Sequence, residues 1–212
     1  EDLFEKLKDR ESFDAYWNEN YIPITYADVK DAYEDFVKAS DKHIFVSGVT
    51  GAGKTTTLKS IVGILKFESG QITIDGTSVV EDPLECKKKI AYIPDNPDLY
   101  EYMSGSKYLN FVADIFQISK EERDEKIQKY GDIFEMTDHL AEPIASYSHG
   151  MRQKLAIISA WLHAPKLILM DEPFVGLDPK AAHLLKEMMR EHCEKGGAIF
   201  FSTHVLEVAE KL

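Results

Sequence analysis

The sequence predicts an α/β fold with a mainly parallel, doubly wound sheet flanked by helices. The apolar runs KLILMDEP (166–173) and GAIFFSTH (197–204) are continuous rather than alternating, as expected for strands buried on both faces of a parallel sheet. Helical patterns at about 150–163 and 179–194 separate these runs. A glycine-rich loop joins the first predicted strand, HIFVSG (43–48), directly to a helix. Together these features indicate strands that alternate with helices.

The segments between these elements continue the alternation. KTTTLKSIVGILKF (54–67) is predicted to form the helix after the glycine-rich loop. GQITIDG (70–76) is predicted to form a strand that ends in a turn, and KIAYIP (89–94) is predicted to form a further strand. In such a sheet, ligands are expected at the carboxyl ends of the strands.

The chain is expected to divide into an acidic, helical N-terminal segment (1–40) and a core (41–212). In the N-terminal segment, apolar side chains recur at spacings of three and four, which predicts helices that either pack on the core or dock a partner. Residues of about 98–150 are predicted to form a helical subdomain within the core. One apolar face of this subdomain is predicted to contain Tyr108, Phe111, Val112, Ile115 and Phe116.

Composition indicates a globular chain in a reducing compartment. Hydrophobic residues make up 44% of the 212 and charged residues 29%, which is ordinary for a globular protein. The longest apolar runs are too short to cross a bilayer, and the acidic start EDLFEKLKDR is unlike a secretory signal, so a cytoplasmic location is expected. Cys86 and Cys193 lack metal-ligand spacing, which predicts free thiols and no structural zinc. The net charge of −12 argues against non-specific binding of nucleic acid.

The stretch GVTGAGKT (48–55) fits the phosphate-binding pattern G-x-x-x-x-G-K-[ST] and lies between a predicted strand and a predicted helix. Its glycines let successive backbone N–H groups turn toward phosphate oxygens, and the helix start adds a positive dipole end. Lys54 is predicted to approach the β- and γ-phosphates and to assist catalysis, and Thr55 to ligate Mg²⁺. The residues predicted to bind the nucleotide in this loop are Gly48, Gly51, Ala52, Gly53, Lys54, Thr55 and Thr56.

Two carboxylates follow the buried strand LILM at the edge where the phosphate loop is expected. Asp171 is predicted to hold Mg²⁺, often through water, in keeping with the hydrated habit of that ion. Glu172 is predicted to orient and deprotonate an attacking water. A pair of acids after a strand is usually the start of a solvated loop, but a phosphate loop upstream favours the catalytic interpretation.

From residue 43 to residue 212, the motifs resemble in order those of the nucleotide-binding domain of an ATP-binding cassette (ABC) ATPase. YSHGMRQKL is similar to the family signature, in a form frequent among exporters of drugs, lipids or polysaccharides. The resemblance implies a P-loop NTPase fold that uses ATP and Mg²⁺. It also implies a second ABC subunit and a transmembrane permease as partners, with the chain at the inner face of the membrane. The other matching stretches are ESGQITIDG, IAYIPDNPDLYEYMSGSKYLNFVADIF, DEPFVGLDP and FFSTH.

The resemblance also implies roles for individual residues. Ser148 and Gly150 would contact the γ-phosphate of ATP held by the second subunit. Asp178 would communicate between the two sites of the dimer, and His204 would hydrogen-bond the γ-phosphate and help to place the water. Each also has a simpler interpretation: Ser148 as a helix cap, Asp178 in a turn into a helix, and His204 at a strand end.

Four features depart from the family pattern. Asp95 stands where the family usually has a glutamine that bridges metal, water and membrane partner; its carboxylate could still meet Mg²⁺ through water. The aromatic residue that stacks on adenine is unassigned, since Tyr33 lies closer to the phosphate loop than is usual. Val49-Thr50 replaces the commoner Pro-Asn. The chain ends at Leu212, where family members continue, which suggests a truncated, rearranged or chimeric chain.

The leading functional hypothesis is an ATPase subunit of a membrane transporter that works as a sandwich dimer. Tyr100, Tyr102 and Met103 are candidate apolar contacts for the membrane partner, or else core residues. An alternative is a nucleotide-binding module with little or no turnover, which Asp95, the unassigned adenine platform and the early chain end favour. A mechanical clamp for DNA repair or translation is disfavoured by the negative charge.

Overall fold

The computed structural model describes residues 43–47, 54–67 and 70–203. The predicted N-terminal helices, residues 1–40, lie outside the described residues, and every element below belongs to one compact unit that leaves out 67–71. The elements follow in the order β1 (His43–Ser47), α1 (Lys54–Ile61), β2 (Thr73–Ile74), β3 (Thr77–Ser78), α2 (Pro83–Lys89), β4 (Ile90–Ile93), α3 (Gly105–Ile115), α4 (Lys120–Ile133), two 3₁₀ turns (Thr137–His139 and Ile144–Ser146), α5 (His149–Trp161), β5 (Leu167–Asp171), α6 (Pro179–Glu194) and β6 (Ala198–Thr203).

Four parallel strands form the central sheet in the order β1-β6-β5-β4. The two middle strands are buried at every residue except the first, and Ile168, Leu169 and Met170 of β5 are completely buried. Helices pack on this sheet: α1 contacts β5, α5 contacts β4, and α6 contacts β6. The predicted α/β fold with a parallel sheet and flanking helices is therefore confirmed, and the strand ends of β5 and β6 lie side by side.

Side-chain caps define where the longer helices begin. In each case an oxygen one residue before the helix accepts a hydrogen bond from a backbone N–H three residues later, which satisfies one of the unpaired donors of the first turn. The capping residues are Ser104 for α3, Ser119 for α4, Ser148 for α5 and Asp178 for α6. The predicted starts at about 150 and at 179 agree with these caps.

Three elements differ from the sequence-based expectation. The helix predicted over 54–67 ends at Ile61, and Gly63, with a φ of 72°, follows it. The strand predicted over 70–76 is shortened to Thr73–Ile74. It ends in the predicted turn, where Asp75 and Gly76 both have positive φ, and it pairs antiparallel with Thr77–Ser78. The helix α2 was not predicted, although Asp82 caps it and Pro83 occupies its first position.

The apolar face predicted for residues 108–116 is only partly correct. Leu109 and Ala113 are completely buried, and Tyr108, Val112 and Phe116 pack against the core. Phe111 and Ile115 instead keep 37% and 59% of their surface exposed. Among the described residues, no helix has both the length and the apolar character needed to cross a membrane.

Candidate functional site

Asp171 is the last residue of β5, and its carboxylate is held in place by two hydroxyl groups. The Thr55 hydroxyl, in the first turn of α1, donates a hydrogen bond of 2.6 Å to Oδ2. The Ser202 hydroxyl donates to Oδ1, because Ser202 stands opposite Asp171 in the parallel pairing of β5 with β6. Asp171 is only 3% exposed. A buried carboxylate with both oxygens hydrogen-bonded keeps one orientation, since leaving either oxygen unpaired would carry a desolvation cost.

Glu172 turns the chain away from the strand direction at this point. Its φ is 49°, in the left-handed region, and its N–H donates to the Ser202 carbonyl at 3.1 Å. Glu172 is half-buried and borders a cleft of about 430 Å³. The other residues that line this cleft are Phe174, Val175, Pro179, Ala182, His183, Lys186 and Thr203. The turn therefore places the buried Asp171 next to a half-buried glutamate that lines a cleft.

Asp95 lies two residues beyond β4 and is exposed, unlike Asp171. The Tyr92 hydroxyl, on β4, is buried and has no hydrogen-bond partner among the described residues. Burial, together with the negative charges of Asp171 and Asp95, raises the pKa of Tyr92 to about 12. Both carboxylates thus influence the pKa of the same phenol, although no described contact joins Asp171 to Asp95.

The start of α5 carries the predicted signature residues. The Ser148 hydroxyl accepts a hydrogen bond from the Met151 N–H at 3.2 Å, so its helix-cap interpretation is correct. Ser148 is exposed at the helix start. Gly150 lies directly on the Gly176 carbonyl, and a Cβ at position 150 would be 2.6 Å from that oxygen. A side chain at Gly150 would push α5 away from the loop that follows Glu172.

Asp178 connects that loop to α5 and to α6. Its Oδ1 accepts a hydrogen bond from the Ala181 N–H at 2.8 Å, which caps α6. Its Oδ2 forms an ion pair of 2.8 Å with Lys154 of α5. The hydrogen bond to Lys154 first, and then the Ala181 N–H, lower the pKa of Asp178. The expected turn into a helix at Asp178-Pro179 is confirmed, and the ion pair with Lys154 is an additional connection.

The structure thus brings together Thr55, Asp171 and Glu172 near one end of β5. Thr56 is exposed on α1, and Lys54 begins that helix, although the description does not extend to its side chain. Gly48, Gly51, Ala52, Gly53, His204 and Tyr33 lie outside the described residues. Sequence reasoning missed Ser202 and Lys154. Ser202 could have been found from the strand motif FFSTH, because residues at the ends of two adjacent parallel strands are neighbours in the sheet. No comparable pattern in the sequence indicates Lys154.

The oxygen atoms around Asp171 suit Mg²⁺. A hydroxyl and a carboxylate oxygen that are 2.6 Å apart are hard donors, and this ion is usually held by one or two carboxylates together with water and substrate phosphates. Within the described ranges, no group of three or more histidine, cysteine, aspartate or glutamate side chains converges on one point. The donor set therefore fits an ion that shares its coordination with a phosphate ligand.

Comparison with known proteins identifies the family. The family described as ABC transporter matches residues 36–175. The ABC-type transporter ATP-binding protein EcsA of Bacillus subtilis is 37% identical over 164 residues, which cover 77% of this chain and 66% of that protein. The ABC transporter ATP-binding protein NatA of the same organism is 33% identical over 168 residues, with 79% and 68% covered. A solved ATP-binding subunit of an ABC transporter superposes with a TM-score of 0.77 at 36% identity, covering 81% of this chain and 71% of that one.

The extent of the match is partial. The chain spans between about half and two thirds of the length of several curated relatives that it matches. The matched part contains Thr55, Ser148 and Asp171, at positions where the fold brings the first and last of these into contact. By its sequence and its fold, the chain belongs to the ABC transporter family, among the ATP-binding proteins.

Proposed function

We propose that this protein binds and hydrolyses ATP as the nucleotide-binding subunit of an ABC transporter, working as a sandwich dimer. The observation that carries the proposal is the buried carboxylate of Asp171, which the hydroxyls of Thr55 and Ser202 hold beside Glu172. A fixed acid next to a second acid that lines a cleft supports two chemical roles at one strand end, one for metal binding and one for proton transfer.

Each side chain has a separate task in this proposal. Lys54 neutralises charge on the β- and γ-phosphates, while Thr55 and Asp171 hold Mg²⁺, directly or through water. The bound ion would supply further positive charge against the phosphates. Glu172 accepts a proton from the attacking water at its carboxylate, and His204 orients that water. Asp95 is a further candidate for the hydration shell of the ion, and its exposure supports a weaker role.

The second subunit would complete the site. Ser148 and Gly150 lie at the start of α5, where backbone N–H groups and the helix dipole favour an anion. In the dimer these residues would meet the γ-phosphate of the nucleotide held by the partner. The wording of YSHGMRQKL supports the exporter type within the family, and this narrower assignment is separate from the rest of the proposal.

The decisive experiment compares wild type with Glu172→Gln. Because general-base assistance is typically worth about 10²- to 10⁴-fold, the variant should hydrolyse ATP at least ~100-fold more slowly while still binding it. Glu187→Gln is the matched control, since Glu187 lies on α6 in an exposed pair with Arg190 and should keep the wild-type rate. Mg²⁺-dependent phosphate release and equilibrium ATP binding are measured for all three proteins. Equal rates in Glu172→Gln and Glu187→Gln would remove Glu172 from its role.

The alternative function, nucleotide binding with little turnover, is favoured by the exposed Asp95 in place of a glutamine. It predicts ATP binding in wild type without phosphate release above that of Glu172→Gln. Sedimentation with and without ATP adds a second measurement. An ATP-dependent dimer supports the transporter proposal, because a strict monomer cannot assemble a site shared between two chains.

An exposed aromatic surface supports the membrane subunit as partner, with the chain at the inner face of the membrane. Tyr100 is 45% exposed and Tyr102 80%, and their ring centroids are 5.9 Å apart. Phe111 extends this surface, 5.6 Å from Tyr100, whereas Met103 packs against the core and is a poorer candidate than the sequence suggested. Exposed aromatic rings of this kind mark protein interfaces. Tyr102→Ser with Phe111→Ser should reduce recovery of the chain in the membrane fraction while the purified protein keeps its ATPase rate.

A further inference from the structure

A second cleft lies between α4 and the carboxyl-terminal ends of α5 and α6 (the α4–α6 cleft). Its volume is about 130 Å³, and none of the residues that line it lines the cleft beside Glu172. By the share of volume that a water molecule takes in the liquid, this space corresponds to roughly four waters, or to an organic molecule with a single ring. The α4–α6 cleft is therefore separate from the site at Asp171 and suits a small ligand.

Aromatic side chains form much of the wall of this cleft. Trp161, the last residue of α5, and Met188 of α6 are each 6% exposed, so the core holds both side chains in place. Tyr130 of α4 also lines the cleft and packs against the core. His192 meets Trp161 edge to face, with ring centroids 6.3 Å apart. Aromatic walls that are held in this way favour a planar, apolar ligand.

The charged side chains at the cleft are mainly lysines. Lys126 and Lys129 of α4 and Lys195, the residue after α6, all line it. Glu191 is the single acid among the described residues that do so. Burial lowers the pKa of His192, so its imidazole adds no charge at neutral pH. In a chain with a net charge of −12, a cleft lined by three cations and one anion is unusual, and it favours a negatively charged ligand.

Two of the three lysines already have acidic partners. Lys126 pairs with Glu122 at 2.7 Å, and it donates a hydrogen bond of 2.6 Å to the Leu162 carbonyl just after α5. Lys195 pairs with Glu191. These contacts hold both ammonium groups in position and balance their charges.

Lys129 supplies the positive charge that remains. It is exposed and forms no ion pair with another described residue, and its ammonium lies 5.3 Å from the centre of the Tyr130 ring. The carboxyl ends of α5 and α6 carry partial negative charge, which opposes an anion. This opposition is lessened because the Leu162 carbonyl accepts from Lys126, and the carbonyls of 191–193 accept from the N–H groups of 195–197. One net positive charge therefore lies beside the aromatic walls.

We propose that the α4–α6 cleft binds a small aromatic monocarboxylate. The ring lies against Trp161 and Tyr130, and the carboxylate meets the Lys129 ammonium. A single negative charge balances the one lysine without an acidic partner, and a planar ring matches the aromatic walls. An anion without a ring leaves those walls uncovered, and a molecule much larger than one ring exceeds the volume. This binding goes beyond the proposed ATPase function and does not depend on it.

Benzoate is the probe, and benzamide, which has the same size and no charge, is its matched control. Each is titrated into the full chain at pH 7 without nucleotide, and chemical shifts of the backbone amides are followed by NMR. For a ligand of about nine non-hydrogen atoms, a dissociation constant on the order of 1 mM is expected for benzoate. Benzamide and acetate should bind at least ~10-fold more weakly, since one lacks the charge and the other lacks the ring. Equal binding of benzoate and benzamide would overturn the proposal.

Lys129→Met tests the charge that the proposal assigns to the ligand's partner. Loss of a charge-assisted contact should weaken benzoate binding about 10-fold, and Lys129→Arg should keep most of the affinity. Lys120→Met is the matched control, because it also removes an exposed lysine of α4, one that pairs with Asp124 and does not line the cleft. It should bind benzoate as wild type does. Equal affinities in Lys129→Met and Lys120→Met would contradict the proposal.

Ala164→Asn tests the cleft itself. Ala164 lines the cleft with a φ of 48°, a conformation that asparagine adopts more readily than most residues, so the larger side chain should occupy the space and abolish benzoate binding. In wild type, the shifted amides should lie within 126–130, 161–164 and 188–195. Shifts confined to other residues, or undiminished binding in a folded Ala164→Asn, would overturn the proposal. If Ala164→Asn does not fold, the Lys129 variants and the positions of the shifts decide. Since no step uses ATP, failure of the ATPase proposal would leave these results unchanged.

Discussion

Strands β4 and β5 are neighbours in the sheet. One aspartate ends β5 and another follows β4, and the surroundings of these two carboxylates are opposite. Asp171 belongs to its strand, is 3% exposed, and accepts hydrogen bonds from Thr55 and Ser202. Asp95 comes two residues after its strand and is exposed. The comparison shows that a position near the end of a strand does not by itself fix the orientation of a carboxylate. At Asp171 the pairing of β5 with β6 contributes to fixing it. Asp171 lies within the ladder and receives one donor from the next strand at a set register, and its other donor, Thr55, comes from α1.

The largest expected effect comes from Asp171→Asn. This change keeps the size of the side chain but removes its charge. The new amide NH₂ group would also face one of the two hydroxyls, of Thr55 and Ser202, that donate to the carboxylate. If Asp171 holds Mg²⁺ as proposed, the change should reduce Mg²⁺-dependent ATP hydrolysis by at least ~100-fold, in the range found when one transition-state contact is removed. Phosphate release is measured across a Mg²⁺ titration, with Asp95→Asn as the control. If the variant reaches the wild-type rate at high Mg²⁺, Asp171 affects only the affinity for Mg²⁺ and not the rate of hydrolysis.

Ser202→Ala tests whether the neighbouring strand is what holds Asp171. Removing the hydroxyl leaves a buried carboxylate oxygen without a donor, which typically costs about 1–3 kcal/mol in the free energy of unfolding. Urea denaturation measures the change. Ser146→Ala, which removes an exposed hydroxyl bonded to the Pro143 carbonyl at 2.7 Å, should cost clearly less. Equal losses in the two variants would make the Ser202 contact unremarkable and remove the basis of the comparison.

Asp95→Gln should have a smaller effect. The residue is exposed, and substitutions at such positions usually change the free energy of unfolding by no more than about 0.5 kcal/mol. A change of that size in the activation free energy would keep the hydrolysis rate within roughly 3-fold of wild type. The measurement is kcat at saturating ATP and Mg²⁺. A change comparable with that of Asp171→Asn would place Asp95 among the essential ligands, and the contrast between the two strands would not hold.

Tyr92→Phe should have the smallest effect. The Tyr92 hydroxyl is buried and without a hydrogen-bond partner among the described residues, and the charges of both aspartates act on it. Replacing an unpaired polar group with an apolar one of the same shape can be neutral or stabilising, so the free energy of unfolding should change by less than about 0.5 kcal/mol. Urea denaturation at neutral pH checks this. A loss above that amount would mean that the hydroxyl has a partner, such as a bound water shared with Asp171.

Much of the sheet could be predicted from the sequence, because continuous apolar runs bounded by polar residues identify buried parallel strands. The run at 166–173 and the strand Leu167–Asp171 differ only at their ends. The strand stops at Asp171 because Glu172 has a positive φ. A glutamate gives no indication of such a backbone angle in the sequence. The helix α2 could have been found from Asp82, Pro83 and Glu85, which form a cap, a favourable first residue and an acid in the first turn.

The site was less predictable than the sheet. Thr55, Asp171 and Glu172 came from local motifs, and the direct bond between the first two agrees with their predicted proximity. Ser202 and Lys154 could not be identified in this way. Each meets its partner across more than 20 residues of sequence, through strand register in one case and helix docking in the other. Contacts of that kind depend on how helices and strands pack against one another, which is difficult to predict from a single sequence.

The positive φ of Glu172 has a consequence for selection. A non-glycine residue in the left-handed region costs roughly 1–2 kcal/mol relative to an ordinary conformation, and glycine avoids most of this cost. A chain selected for folding alone would favour glycine at position 172. Under the proposed function, stability and chemistry therefore compete at this glutamate, and Glu172→Gly should make the protein harder to unfold while it loses ATP hydrolysis.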